Sequence, residues 1–115
     1  MSEKIGPRVF VVQEPVKKTS DGSYIPYMNL TPASAFGAIK FLIDPRNQSL
    51  STEPTVEVIK QKLANYNDSD FLVPVGDPVA IGIAMVVAAL VNKGAVKVLK
   101  WNRETSAYIP VSFKV

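Results

Sequence analysis

The residues best placed for ligand chemistry are Gly76-Asp77-Pro78, which separate a short apolar run from a long apolar segment. If the run is a strand and the segment a helix, this turn lies where ligands of α/β proteins collect and where free N–H groups attract anions. Asp44 also follows an apolar run and precedes a proline. We therefore predict an anion-binding or small-ligand site formed by Gly76, Asp77 and Asp44.

A structural interpretation explains the same residues. Asp77 is a favourable N-cap, Pro78 is a favourable first helical residue, and Asp-Pro is a common turn opening. Asp44 and Asp77 could also hold Mg²⁺ from the ends of adjacent parallel strands. The sequence has no third acidic residue at a comparable position and no GxGxxG or GxxxxGK[ST] motif. We expect no metal and no cofactor.

A second candidate set combines cations and aromatic rings near the C-terminus. Cations neutralise phosphates and rings stack on bases, which is the combination that binds single-stranded nucleic acid. A half-exposed edge strand has the same alternation, since Lys97 stands between Val96 and Val98. The nucleic-acid or partner surface predicted from this set comprises Lys93, Lys97, Lys100, Trp101, Arg103 and Tyr108.

The composition excludes several kinds of catalysis. The 115 residues include no cysteine and no histidine, so the chain has no disulfide, thiolate nucleophile or histidine general base, and no Ser-His or Cys-His system. A formal charge of +3 permits contact with a polyanion without requiring it. We therefore expect a protein without enzymatic activity.

The elements that must position these residues follow from the apolar pattern, and 47% of the residues are hydrophobic. We expect a single α/β domain over residues 1–115, with a mixed β-sheet that has a parallel centre, antiparallel edge hairpins and two main helices. Strands are predicted at 8–13, 38–43, 71–75, 95–101 and 108–115, a hairpin at 16–27, an amphipathic helix from residue 52 and an apolar helix over 79–91.

The prediction of a dimer depends on the apolar helix. A helix without a polar stripe cannot lie on the surface of a small soluble protein, so it needs cover on more than one side. A second copy of the chain could supply that cover through a twofold contact. The alternative is cover by an intrachain segment such as 29–37. The dimer interface predicted on this helix comprises Ile81, Met85, Val86 and Leu90.

Three segments carry a family resemblance: Val9-Phe-Val-Val-Gln-Glu-Pro15, Leu72-Val-Pro-Val-Gly-Asp-Pro78, and Val98-Leu-Lys-Trp-Asn-Arg103 followed by Tyr108-Ile-Pro-Val111. Together they resemble a family of small uncharacterised proteins encoded by bacteriophages. The resemblance implies expression inside a bacterial cell and a role as an accessory protein that binds macromolecules. The polar first residues lack a signal-peptide core, so we expect the host cytoplasm and no membrane contact.

We therefore expect a small non-enzymatic phage accessory protein that binds a protein or nucleic-acid partner, as a homodimer. The alternative is a small-ligand or nucleotide-binding protein that uses the turn at residues 76–78. A third interpretation is an assembly component whose edge strands pair with other chains.

Overall fold

The computed structural model describes residues 6–26, 28–43 and 52–115. The helices are α1 (Thr52–Lys62) and α2 (Pro78–Val91), and a 3-10 helix spans Thr31–Phe36. The strands are β1 (Arg8–Gln13), β2 (Val16–Lys18), β3 (Tyr24–Pro26), β4 (Ala38–Ile43), β5 (Phe71–Val73), β6 (Ala95–Asn102) and β7 (Ala107–Lys114).

Five strands form one mixed sheet in the order β4-β1-β5-β6-β7. The first four are parallel to their neighbours, and β7 is antiparallel to β6. Strands β2 and β3 pair with each other as a separate hairpin, with Asp21-Gly22 in its turn. The predicted fold class is confirmed: an α/β fold with a parallel centre, antiparallel hairpins and two main helices.

Strand β1 is apolar along most of its length because both faces of the sheet are covered. Phe10 and Val12 face α1 and α2, on what we call the helix face. Val9 and Val11 face the 3-10 helix, on what we call the 3-10 face. Side chains alternate between the two faces of a strand, so β1 contributes to both cores.

Helix α1 is the predicted amphipathic helix. It lies over β4 and beside α2. Ile59 of the helix and Leu63 and Tyr66 just after its end are buried in the helix-face core, whereas Glu57 and Lys60 are exposed. The apolar side of α1 therefore covers one half of the sheet, as its sequence predicts.

Helix α2 lies over β1 and β6. Its small residues Ala80, Ala84 and Ala88 are buried, and small residues at this spacing allow a helix to approach a sheet closely. Asn92 follows the last residue of the helix, and its N–H donates to the Ala88 carbonyl at 3.0 Å.

Two alternatives that the sequence left open differ from the structure. Segment 29–37 does not cover α2, because Leu30 and Ala33 pack into the core on the 3-10 face. Strands β4 and β5 are not adjacent either, because β1 lies between them. The ends of β4 and β5 are therefore two strand spacings, or about 10 Å, apart. The doubly apolar β1 takes an interior position between β4 and β5, where both of its faces are covered.

Candidate interaction surfaces

The turn between β5 and α2 is locked to the end of β1. The Asp77 carboxylate accepts from the Val79 N–H at 3.1 Å, and the Asp77 N–H donates to Gln13 Oε1 at 3.0 Å. Gly76 has φ +107°, and a Cβ there would lie 2.5 Å from the Cβ of Gln13. The capping role of Asp77 is confirmed, and the sequence did not single out Gln13 as its partner.

The ligand site predicted at this turn stays a prediction. Asp44 lies outside the described residues. Gly76 and Asp77 are exposed beside Gln13, and the Asp77 carboxylate occupies the first turn of α2, where an anion would bind. A negative side chain already fills the position that favours negative charge.

The predicted basic and aromatic set is divided by the sheet. Lys100, Trp101 and Arg103 line a cleft of about 430 Å³ at the β6–β7 turn, together with Glu104. Lys97 lies on the 3-10 face, with its Nζ 4.6 Å from the ring centroid of Phe71. The structure thus brings three of the six predicted residues together in one cleft.

The other residues of this set lie elsewhere. Tyr108 is buried, and its ring centroid is 4.9 Å from that of Trp101 in an edge-on contact. Lys93 precedes β6, whereas Arg103 follows it, so the whole strand separates them. A strand of that length spans about 25 Å. The six residues do not form one continuous surface.

An ion pair that the sequence analysis missed joins Arg8 to Asp70. Asp70 is fully buried, and its carboxylate accepts from the Arg8 guanidinium at 2.8 Å and from the backbone N–H groups of Arg8 and Asn67. The parallel register pairs Val9 with Phe71, so Arg8, the first residue of β1, lies beside Asp70, the residue before β5. Opposite charges directly before two apolar runs are the signal that could have predicted this pair.

The outer face of α2 is apolar and exposed. Val79, Val86 and Leu90 are 61%, 59% and 78% exposed, and they lie on one side of the helix. Of the predicted interface residues, Val86 and Leu90 belong to this face, whereas Ile81 and Met85 pack against the helix-face core. The predicted interface stays a prediction, and Val79 is an exposed neighbour that it omitted.

A second exposed apolar row lies on β7. Ile109, Val111 and Phe113 are 41–42% exposed and pair in register with Lys100, Val98 and Val96 of β6, which places them on the helix face. Helix α2 covers Val96 and Val98 but does not extend over β7. The last strand of the sheet therefore presents an apolar row beyond the helix layer.

These features define a small α/β protein whose prominent exposed surfaces are apolar. None of the helices in the described part of the chain is both long enough and apolar enough to cross a membrane. Residues 7–115 match the family model described as Phage Pam3 gp32-like protein, and the chain belongs to that family. The resemblance to small phage-encoded proteins is thus confirmed. No curated protein and no solved structure matches the chain.

Proposed function

We propose that this phage protein is a non-enzymatic accessory protein that acts by macromolecular binding, as a homodimer formed through the outer face of α2. The observation that carries the proposal is the exposure of Val79, Val86 and Leu90 on a helix without a charged residue between Asp77 and Lys93. Soluble proteins rarely leave such a continuous apolar face bare unless it binds something.

The spacing along this face fits a second copy of the same helix. Gly82, Val86 and Leu90 are four residues apart, so they form one ridge of the kind that packs in crossed helix pairs. A twofold antiparallel crossing centred on Val86 places Leu90 of each copy over Gly82 of the other. Nothing lies within 4 Å of the position that a Gly82 Cβ would occupy. That space can receive the Leu90 side chain.

The charges at the ends of α2 fit the same arrangement. Asp77 precedes the helix and Lys93 follows it. In an antiparallel crossing, the Asp77 end of one copy lies at the Lys93 end of the other, which brings opposite charges together. A parallel crossing would instead place like charges side by side. Charge and shape therefore favour the same antiparallel contact.

We infer that the contact uses Val79, Gly82, Val86 and Leu90 rather than Ile81 and Met85, because the last two already pack in the core. A protein contact is favoured over a nucleic-acid contact because the apolar face is continuous, whereas the predicted cationic set is divided. We expect the dimer to act in the cytoplasm of the host cell.

Sedimentation of the purified full chain, with and without Val86→Asp, tests the proposal. The substitution puts two carboxylates at the twofold axis, so we expect association through α2 to weaken roughly 100-fold. Val86 is 59% exposed, so the circular dichroism spectrum should stay unchanged. Gly82→Trp should also dissociate the dimer, because the ring fills the space meant for Leu90.

Val58→Asp is the matched control, since Val58 is an exposed valine on α1, at 39%. It should leave the association unchanged. A wild-type chain that is monomeric at about 100 μM would refute the proposal. So would salt-sensitive binding of single-stranded DNA by a monomer that is lost in Lys100→Ala/Arg103→Ala, because the function would then belong to the β6–β7 cleft.

A further inference from the structure

Strand β7 has an outer edge that no other described strand pairs with. It is the last strand of the sheet, and its eight residues pair with β6 along their whole length. A strand edge presents a row of backbone donors and acceptors that can pair with another chain. A partner strand must match the positions of these donors and acceptors.

The direction of each backbone group on β7 follows from one hydrogen bond. The Val115 N–H donates to the Gly94 carbonyl at 2.9 Å, next to the paired residues Ala95 and Lys114. Groups alternate along an antiparallel strand, so odd-numbered residues point their N–H and C=O groups at β6 and even-numbered residues point theirs outward. The outward residues are Tyr108, Pro110, Ser112 and Lys114. Pro110 lacks a donor, and it stands where β6 loses no bond.

The side chains on the helix face of β7 are arranged symmetrically about Val111. Ile109 and Phe113 lie two residues to either side, and all three are 41–42% exposed. We propose that β7 pairs antiparallel with β7 of a second copy, with the twofold axis at Val111. Val111 then faces Val111, and each Ile109 faces Phe113 of the other copy. The two sheets become one continuous sheet.

This register is selected by both the backbone and the side chains. It brings Tyr108 opposite Lys114 and Pro110 opposite Ser112, so Tyr108, Ser112 and Lys114 all donate to a carbonyl of the other copy. A shift by two residues in either direction leaves one of these donors unpaired in each copy. The apolar residues occupy the non-hydrogen-bonded pairs, in which cross-strand side chains are closest.

The side chains also place no like charges opposite each other. Lys114 faces Tyr108, and Lys114 of the other copy lies at the far end of the strand, about 20 Å away. The pairing places the apolar row that α2 leaves exposed in lateral contact with the same row of the second copy. The β7 pairing is independent of the contact proposed for α2, because that contact uses the side of α2 that points away from the sheet. Where both contacts form, the dimers that are joined through α2 associate further through β7.

Single cysteines test the pairing directly, because the chain has none of its own. Val111→Cys puts two thiols on the twofold axis in a non-hydrogen-bonded pair, at a Cβ separation of about 4.5–5.5 Å that permits a disulfide after slight adjustment. With oxidised glutathione, we expect a disulfide-linked dimer on a non-reducing gel. Ser112→Cys is the control, because in this register residue 112 of one copy lies diagonally across from residue 112 of the other and not directly opposite it. It should cross-link at least about tenfold more slowly.

The same variants in a Val86→Asp chain separate this inference from the proposed function. Rapid cross-linking of Val111→Cys in both backgrounds supports the β7 contact whatever happens at α2. Cross-linking only when residue 86 is valine would mean that α2 alone brings the chains together, and it would overturn the β7 register. Equal rates for Val111→Cys and Ser112→Cys would indicate random collision and would also overturn it.

A charge exchange tests the register without oxidation. In the proposed pairing, residue 109 faces residue 113 of the other copy. In the Val86→Asp background, Ile109→Lys/Phe113→Glu should therefore retain the association measured by sedimentation, whereas Ile109→Lys/Phe113→Lys should weaken it at least about tenfold. Equal association of the two double variants would overturn the proposed register. Thermal melting of both confirms that each is folded.

Discussion

The two faces of the sheet are built differently. The helix face is covered by α1 and α2, and its core contains long fully buried side chains such as Leu42, Ile59 and Leu63. The 3-10 face is covered by one short helix, and its buried core is flanked by large rings that are only partly buried, such as Phe36, Phe71 and Trp101. A layer of two packed helices buries long side chains together with their polar groups. Each buried polar group then needs a hydrogen-bond partner within the protein.

The two buried tyrosines show this difference. On the helix face, the Tyr66 hydroxyl accepts from the Lys97 N–H at 3.0 Å and lies 3.3 Å from the Lys97 carbonyl, to which it can donate. On the 3-10 face, the Tyr108 hydroxyl is buried and has no hydrogen-bond partner within residues 6–26, 28–43 and 52–115. The helix face satisfies its polar groups, whereas the 3-10 face tolerates an unpaired one.

We expect the largest loss of stability from a change at Asp70, which is buried at one end of the helix face. Asp70→Ala leaves two backbone N–H groups without the carboxylate and the Arg8 guanidinium without its counter-charge, although the guanidinium keeps its bond to the Asn65 carbonyl. We therefore expect a loss of about 3–5 kcal/mol in the free energy of unfolding. Urea denaturation followed by circular dichroism measures it. Asp68→Ala is the matched control, because Asp68 is exposed and, among the described residues, accepts only from the Asn92 amide at 2.8 Å. It should cost less than about 1 kcal/mol. Equal losses would show that Asp70 does not anchor this face.

The main elements of the fold could be predicted from the sequence. Strands β1 and β4, the apolar α2 and the β6–β7 hairpin have unmistakable apolar patterns and turn residues at their ends. The capping role of Asp77 followed from the Asp-Pro pair before an apolar run. Each of these features depends on residues that are close together in the chain.

The arrangement of the elements could not be predicted in the same way. The order of β4, β1 and β5 and the face occupied by the 3-10 helix depend on contacts between residues far apart in the chain. The Arg8–Asp70 pair joins residues 62 positions apart, and it becomes visible only when β1 and β5 are aligned. The same holds for the surfaces: which residues of α2 point outward depends on where α1 and the sheet lie.

The two tyrosines are expected to differ by a smaller change in stability. Tyr66→Phe removes the acceptor of the Lys97 N–H, so we expect a loss of about 1–2 kcal/mol in the free energy of unfolding. Tyr108→Phe removes a buried hydroxyl without a described partner, so we expect no loss or a gain of up to about 1 kcal/mol. Paired urea titrations measure both changes. A loss at Tyr108 as large as that at Tyr66 would show that the 3-10 face also pairs its polar groups.

The smallest effect concerns alkaline pH. Burial raises the pKa of Tyr66 and of Tyr108 above the ordinary tyrosine value, although the Lys97 backbone opposes the shift at Tyr66. The unfolded chain therefore loses these protons first, from about pH 10, so this stabilisation is complete below pH 10 and falls as pH rises through the folded pKa.

Each Tyr→Phe variant should consequently show a shallower fall in stability between about pH 9.5 and 11.5 than the wild type, as measured by urea titrations across that range. Lysines titrate over the same interval in all the proteins, so the difference from the wild type isolates the tyrosine. The two rings lie on opposite faces of the sheet, and the Tyr66→Phe/Tyr108→Phe double variant should show the sum of the two single changes. A double change clearly smaller than the sum would mean that the two faces open together at high pH, and the contrast between them would then hold only near neutral pH.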